Sequence, residues 1–173
     1  MPLSMRHKSI RLDPRNYVGV GWYFLTLCTF RRTPYFRNDP LARWLLRALR
    51  DESRQHSFHL RAYCLLPNHL HLLLQGATPE ADLQRFVRHF KHKTSFRFAA
   101  RTGKKLWQMS FYDHILRGSE APSDVAWYIW LNPVRAKLVE KPGDYPYSGP
   151  HSPAWPGSSP PSDPWSPPLH ARF

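Results

Sequence analysis

Apolar and polar positions alternate in some stretches of this chain and recur at helical spacing in others. Residues 21–30, "GWYFLTLCTF", are aromatic and β-branched enough for a strand, which "RRTPYFRNDP" ends. Asp39 followed by Pro40 then marks a helix start, with aspartate as N-cap and proline in the first turn. Leu41, Trp44, Leu45, Ala48 and Leu49 follow at helical spacing, and Arg43, Arg47 and Arg50 fall off that stripe. A second strand, "FHLRAYCLL", covers residues 58–66. Pro67-Asn68 turns it tightly into "HLHLLLQ", so the two strands form a hairpin.

A helix follows over residues 79–99, where Leu83, Phe86, Val87, Phe90 and Thr94 make a continuous apolar stripe. "LWQMSFYDHILRG", residues 106–118, reads as a strand or a strand with an irregular start. Residues 121–134 read as a helix capped near Ser123 or Asp124 and interrupted by Pro133. From Lys141 onward periodicity stops and more than half of the 18 prolines accumulate, which predicts an extended or disordered tail over 141–173. The order strand, helix, strand, strand, helix, strand, helix predicts an α+β fold. Its simplest form is an antiparallel sheet with helices packed on one face, in a ferredoxin-like arrangement. Many functions share that architecture, so function has to be read from a site.

Charge narrows the choice. There are 25 Lys+Arg against 12 Asp+Glu, a formal +13, in a chain of 173 residues. Such an excess attracts a polyanion, and its interleaving with aromatic residues favours nucleic acid over a membrane surface or a mere solubility charge. The helix over 79–99 carries Arg85, Arg88, His89, Lys91, His92, Lys93 and Arg97 off its apolar stripe, with no acidic residue between Asp82 and Asp113. Intrahelical salt bridges cannot explain that density. Arg88, Lys91 and Lys93 are therefore the first candidates for phosphate contacts, and Arg6, Lys8, Arg11 and Arg15 form a basic N-terminal arm over residues 1–16. Cys28 and Cys64 sit in apolar runs and suggest neither a disulfide framework nor a cysteine-rich zinc site. No run approaches a membrane span and no secretory leader precedes the first strand, so a cytoplasmic, nucleoid-associated protein is expected.

Within the leucine-rich strand, His69 and His71 are two apart and share a face with Leu73, while Leu70, Leu72 and Leu74 line the other. Two such imidazoles can clamp one divalent cation with further ligands from elsewhere, and can equally form a packed or solvated pair. On the later helix, Val125, Tyr128, Ile129 and Asn132 share a face, which puts a phenol and an amide one turn apart on an apolar stripe. By itself that pattern also suits a tyrosine and an asparagine at the edge of a core. Together with the histidines and the basic charge it suggests phosphodiester chemistry, in which a cation polarises a phosphate and a hydroxyl attacks it. Tyr112, beside Asp113 and His114, is the competing nucleophile, ahead of Tyr145 and Tyr147 in the tail. Asp113 and His114 read first as a hydrogen-bonded structural pair. Trp107 and Gln108 read as core support, and His89 and His92 as solvated or near DNA.

The blocks "CLLPNHLHLLLQ", "LWQMSFYDHILRG" and "WYIWLNPVRAKLV" resemble, in order and spacing, the signature blocks of REP-associated tyrosine transposases. These are relatives of the insertion-sequence transposases of the HUH (His–hydrophobic–His) single-tyrosine class. The resemblance runs from about Tyr17 to Ser148 and implies an HUH endonuclease domain over residues 17–140. It implies His69 and His71 as ligands of Mg²⁺ or Mn²⁺, and Asn132 as a third ligand where insertion-sequence relatives often carry glutamine. It further implies Tyr128 as the nucleophile that cuts single-stranded DNA to a covalent 5′-phosphotyrosine and a free 3′-OH. The implied substrate is single-stranded or hairpin DNA at palindromic REP-like elements, handled by a monomer or homodimer. Two other classes stand beside it: a non-catalytic nucleic-acid-binding protein derived from a transposase, and a metal hydrolase that uses water.

Overall fold

The structure, a computed structural model, describes residues 13–151, 155 and 159–168. The strands are β1 (Trp22–Cys28), β2 (Phe58–Leu66), β3 (His69–Gly76), β4 (Tyr112–Ile115) and the two-residue β5 (Ser148–Gly149). Two long helices, α1 (Asp39–Gln55) and α2 (Leu83–Thr102), alternate with them, and the short α3 (Pro122–Trp130) and α4 (Asn132–Arg135) follow. The strands lie in the order β4-β1-β3-β2-β5 with every neighbouring pair antiparallel. Chain order β1-α1-β2-β3-α2-β4 with spatial order 4-1-3-2 is the ferredoxin-like split βαβ arrangement. The α+β antiparallel expectation is thus met.

Strand periodicity decides which side chain goes where. Tyr23, Leu25 and Leu27 of β1, Leu70, Leu72 and Leu74 of β3, and Tyr63 and Leu65 of β2 face one core with α1 and α2. Phe24, Leu73, Ala62, Cys64 and Leu66 face a second core, closed by Val125, Ala126, Ile129 and Trp130 of α3 and by Tyr145. The two long helices pack on a single face, as expected, whereas α3 covers the other one. The reason is that β3, buried on both sides, needs an apolar cover over Leu73 as well as over Leu72.

Helix boundaries follow the caps. The N-cap of α1 is Asn38, one residue before the expected Asp39. Its Oδ1 accepts the Leu41 N–H at 3.0 Å, which leaves Asp39 in the first turn to pair with Arg43 at 2.9 Å. Asp82 caps α2 through the Arg85 N–H at 2.9 Å, so residues 79–81, expected to be helical, stay outside α2. Gly103, left-handed at φ 66°, ends it. The buried stripe of α2 contains Leu83, Phe86, Val87, Phe90 and Thr94 as expected, and continues to Phe98. In α3 neither Ser123 nor Asp124 caps. Pro122 occupies the first turn, Ala121 precedes it without a side-chain bond, and the helix stops at Trp130, short of Pro133.

The β2–β3 hairpin turns at Pro67-Asn68 with Leu66 opposite His69. Of the expected extended tail, residues 145–149 run along the sheet edge instead of standing free of the fold. Ser148 and Gly149 pair with Cys64 and Tyr63, and the Tyr145 hydroxyl donates to the Leu65 carbonyl at 2.9 Å. Trp155 stacks on Trp22 at 5.7 Å and donates its indole N–H to the Arg61 carbonyl at 3.0 Å.

Candidate active site on the short-helix face

His69 and His71 stand on β3 at the centre of the sheet, on the face that α3 covers, with ring centroids 4.7 Å apart. Strand pairing supplies the next residue. Thr26 of β1 lies opposite His71, and its Oγ1 is 2.8 Å from His71 Nδ1. His69 Nδ1 is 2.6 Å from Asn68 Oδ1. Each ring is therefore oriented through Nδ1, an arrangement typical of metal-ligating histidines, which coordinate through Nε2 when Nδ1 is held by an oxygen. Beneath them the Phe24 ring stacks on His71 at 5.7 Å. Burial, with the Arg32 charge nearby, holds the His69 imidazole down to about 4. His71, only 2% exposed, is held well below its ordinary value by burial, by His69 and by Arg135 and Arg32. Both rings are neutral at physiological pH, the form a metal requires.

Tyr128 reaches this place because α3 buries Val125 and Ile129 against the sheet, which leaves the phenol at the border of the same face. Its ring centroid lies 6.1 Å from that of His71 and 5.8 Å from that of Phe24. The Arg135 guanidinium sits 4.6 Å from the centre of the phenol ring, and its Nη1 donates to the Tyr128 carbonyl at 3.0 Å. Burial raises the Tyr128 hydroxyl above its ordinary value and Arg135 works against that rise. Trp165 closes the outer side, 5.2 Å from both Tyr128 and Phe24, with its indole N–H on Glu120 at 3.0 Å.

The other expected residues are spread more widely. Asn132 follows Tyr128 by one turn and donates its amide to the Tyr128 and Ile129 carbonyls at 2.9 and 3.3 Å, as a helix-end cap. Among the described residues no group of three His, Cys, Asp or Glu side chains could hold a metal. A divalent ion on His69 and His71 would thus complete its shell with oxygens of another kind: an amide, a phosphate or water. The donor set fits a hard-to-borderline divalent ion on those terms.

Tyr112 also reaches this face, 6.0 Å from Phe24, but burial together with Asp113 and Glu120 pushes its hydroxyl up to about 12. Asp113 and His114 are structural without being partners of one another, since consecutive strand residues point to opposite faces. Asp113 accepts from the Tyr17 hydroxyl at 2.7 Å, and His114 meets Glu120 at 2.8 Å. The Tyr147 hydroxyl donates to Asp39 at 2.6 Å. Trp107 donates to Thr94 Oγ1 at 2.9 Å inside the core.

The α2 cations lie in the helical layer, across the sheet from Tyr128. Lys91 Nζ donates to the Gln108 and Met109 carbonyls at 2.7 and 2.8 Å, Lys93 pairs with buried Glu52, and Arg88 lines a cavity with His89 and His92. His89 packs edge-on against His56 at 4.9 Å. Arg15 is exposed and paired with Asp13 at 2.9 Å. Arg6, Lys8 and Arg11 lie outside the described residues.

Thr26, Arg32, Arg135 and Trp165 all escaped the sequence reading. Arg135 had a usable signal, its position seven residues beyond Tyr128 on the same helical face. Thr26 needed the strand register, and Trp165 had none.

Comparison with known proteins decides the family. The model of the IS200-like transposases matches residues 18–129, a span that contains both histidines and Tyr128. The chain belongs to the IS200-like transposase family. Within it, the REP-associated tyrosine branch supplies the relatives. A Haemophilus influenzae chain assigned to that branch is 30% identical over 150 residues, 79% of this chain and 84% of the relative. The REP-associated tyrosine transposase of Escherichia coli is 28% identical over 135 residues, 78% of this chain and 79% of its own. A solved REP-associated tyrosine transposase, bound to a REP hairpin, superposes with a TM-score of 0.67 at 24% identity over 80% of this chain and 82% of that one. The shared fold is the split βαβ sheet with its helices. No helix among the described residues of this transposase is long and apolar enough to cross a membrane.

Proposed function

We propose that this transposase nicks and rejoins single-stranded DNA at palindromic, REP-like hairpins through a covalent 5′-phosphotyrosine on Tyr128. The observation that carries the reading is the approach of the Tyr128 phenol to the neutral His71 imidazole, 6.1 Å between ring centres, on one face of one sheet. A relative solved with a REP hairpin and a formal charge of +13 support DNA as the substrate.

His69 and His71 would hold a Mg²⁺ or Mn²⁺ ion, with Asn132 as the third protein ligand. Bound there, the ion supplies Lewis-acid polarisation of the scissile phosphate and charge stabilisation in the transition state. Thr26 and Asn68 keep the two rings oriented. Arg135 holds the phenol ring and favours negative charge as it develops on Tyr128 Oη. Tyr128 Oη attacks phosphorus, the bond from phosphorus to the 3′ oxygen breaks, and the proton lost by the phenol ends on that oxygen as a free 3′-OH. The phosphotyrosine keeps the phosphodiester energy, so a second 3′-OH can reverse the step and join a new strand without a nucleotide cofactor.

A binding protein that has lost catalysis is the second reading. Its support is the Asn132 side chain, the expected third ligand, whose amide N–H groups are held by the Tyr128 and Ile129 carbonyls. Incubation with labelled hairpin DNA and Mn²⁺ separates the readings. The nuclease reading expects a protein–DNA adduct that survives denaturation and is lost in Tyr128→Phe. Cleavage without an adduct assigns the attack to water, and retention of uncut hairpin leaves a binding protein.

A further inference from the structure

Away from Tyr128, between the start of α1 and the end of α2, lies a groove of about 380 Å³. Tyr35, Trp44 and Phe98 line its apolar wall, and Arg97, Arg101 and Lys104 its charged one. Tyr35 and Phe98 touch at 4.9 Å, and Trp44 is only partly buried. The three cations are exposed, and the described lining contains no carboxylate. Aromatic faces beside uncompensated positive charge form a surface on which bases stack while phosphates are neutralised. The volume lies at the lower end for a small-molecule pocket, enough for one nucleotide and too small for a duplex end.

The groove is joined to the candidate active site by a run of cations. Cys28, at the end of β1, lies opposite His69, so the chain leaving β1 starts beside the imidazoles. It passes Arg32, whose charge reaches His69, and then enters the groove wall at Tyr35. Next to it, the half-buried Phe30 ring has the Arg31 guanidinium and the Lys105 ammonium each 5.3 Å from its centre. Lys105 is adjacent to Lys104 in the lining. Arg32, Arg31, Lys105 and Lys104 thus lie on the two chain segments that lead from His69 toward Arg101 and Arg97, with the Phe30 ring among them.

We propose that this groove seats an unpaired nucleotide of the DNA strand that continues from the cleavage site, its base against Tyr35 and Trp44 and its phosphates on Arg97, Arg101 and Lys104. The proposal rests on the DNA reading given above and adds a second anchoring point to it. Single-strand specificity follows from the arrangement, since only an unpaired strand can bend around the sheet and present a free base.

The test uses the full chain and fluorescent hairpins that are blunt or carry a short single-stranded extension on the 5′ or the 3′ side. In the wild-type protein one extension tightens binding, and 5-iodouracil placed in it cross-links on irradiation to a peptide containing Tyr35 or Trp44. Arg97→Ala/Arg101→Ala, at exposed positions and with an unchanged melting temperature, weakens the extended hairpin roughly tenfold and the blunt one less than twofold, the signature of lost phosphate contacts confined to the extension. Equal losses for both DNAs, no loss for either, or a cross-link elsewhere overturns the proposal while hairpin binding and the Tyr128 adduct stand. Wild-type protein that holds extended and blunt hairpins alike assigns the groove to another ligand, an acidic protein segment first, and also overturns it. A wild-type protein that binds no hairpin at all removes the DNA reading together with the groove.

Discussion

Thr26 shows how much of the site depends on one hydroxyl. Its Oγ1, 2.8 Å from His71 Nδ1, fixes the ring of a residue that is almost wholly buried. Thr26→Val keeps the shape and removes the bond, so the imidazole loses its orienting partner. Such outer partners are worth roughly 10–100-fold in metal affinity or activity. We expect a loss of that size in Mn²⁺-supported hairpin cleavage, measured under single turnover, with the melting temperature shifted by only a few degrees. Unchanged cleavage in the valine variant would detach Thr26 from the chemistry. The neutral histidines also predict the acid behaviour of the metal-free protein. His69 is held at about 4 in the folded chain against an ordinary value near 6.5, so below about pH 6.5 the unfolded chain binds a proton that the folded one refuses. Stability is then flat above that pH and falls as pH drops toward 4, by about 2 kcal/mol between pH 7.5 and 5 from His69 at ~1.4 kcal/mol per pH unit. His71 shifts in the same direction and adds to the loss. Urea titrations in EDTA would register it, and His69→Gln should make the curve shallower by the His69 share while the His71 contribution persists.

Among the elements, β3 carries most of the design. Its alternation was fully legible: leucines at 70, 72 and 74 on one side, and His69, His71 and Leu73 on the other. The apolar stripes of both long helices were equally plain, because 3.6-residue periodicity reports directly on which face is buried. The place of α3 was harder to foresee. A short helix with apolar residues all round does not say which face of a sheet it will cover, and that choice brings Tyr128 to His71. The cap positions were missed by one to three residues, since Asn38 and Asp39 are both good caps and only the backbone angle of Asn38 separates them. At the far end of β3, Gly76 packs against the backbone of Gly19, where an added Cβ would stand 1.8 Å from the Gly19 carbonyl oxygen. Gly76→Ala must therefore push two backbone segments apart. We expect a loss of about 2–3 kcal/mol in chemical denaturation, the range of overpacked sites. A neutral substitution would mean that the 18–21 segment is easily displaced.

At the scale of the whole molecule, charge and chemistry occupy both faces of the sheet. The cations of α2, the sequence's first choice for DNA contacts, lie across the sheet from Tyr128, and two of them are partly committed: Lys91 to backbone carbonyls and Lys93 to Glu52. Charge count and helix spacing show how much positive surface exists, whereas its position relative to Tyr128 depends on topology. The cations nearest the imidazoles and the phenol, Arg32 and Arg135, come from the loop after β1 and from α4. Basic regions on both faces, with Arg31 and Arg32 between them, suit the proposed substrate, a hairpin that is part duplex and part single strand. The proposed reaction is a covalent step at one phenol, and the site holds two, Tyr128 beside His71 and Arg135, and Tyr112 with its hydroxyl pushed up to about 12. The deciding measurement is mass spectrometry of peptides from protein reacted with hairpin DNA and Mn²⁺. The account predicts a 5′-phosphorylated nucleotide on the peptide spanning residues 118–135, carried by Tyr128. The same mass on the peptide that contains Tyr112, or a cleaved hairpin with every tyrosine unmodified, would contradict it.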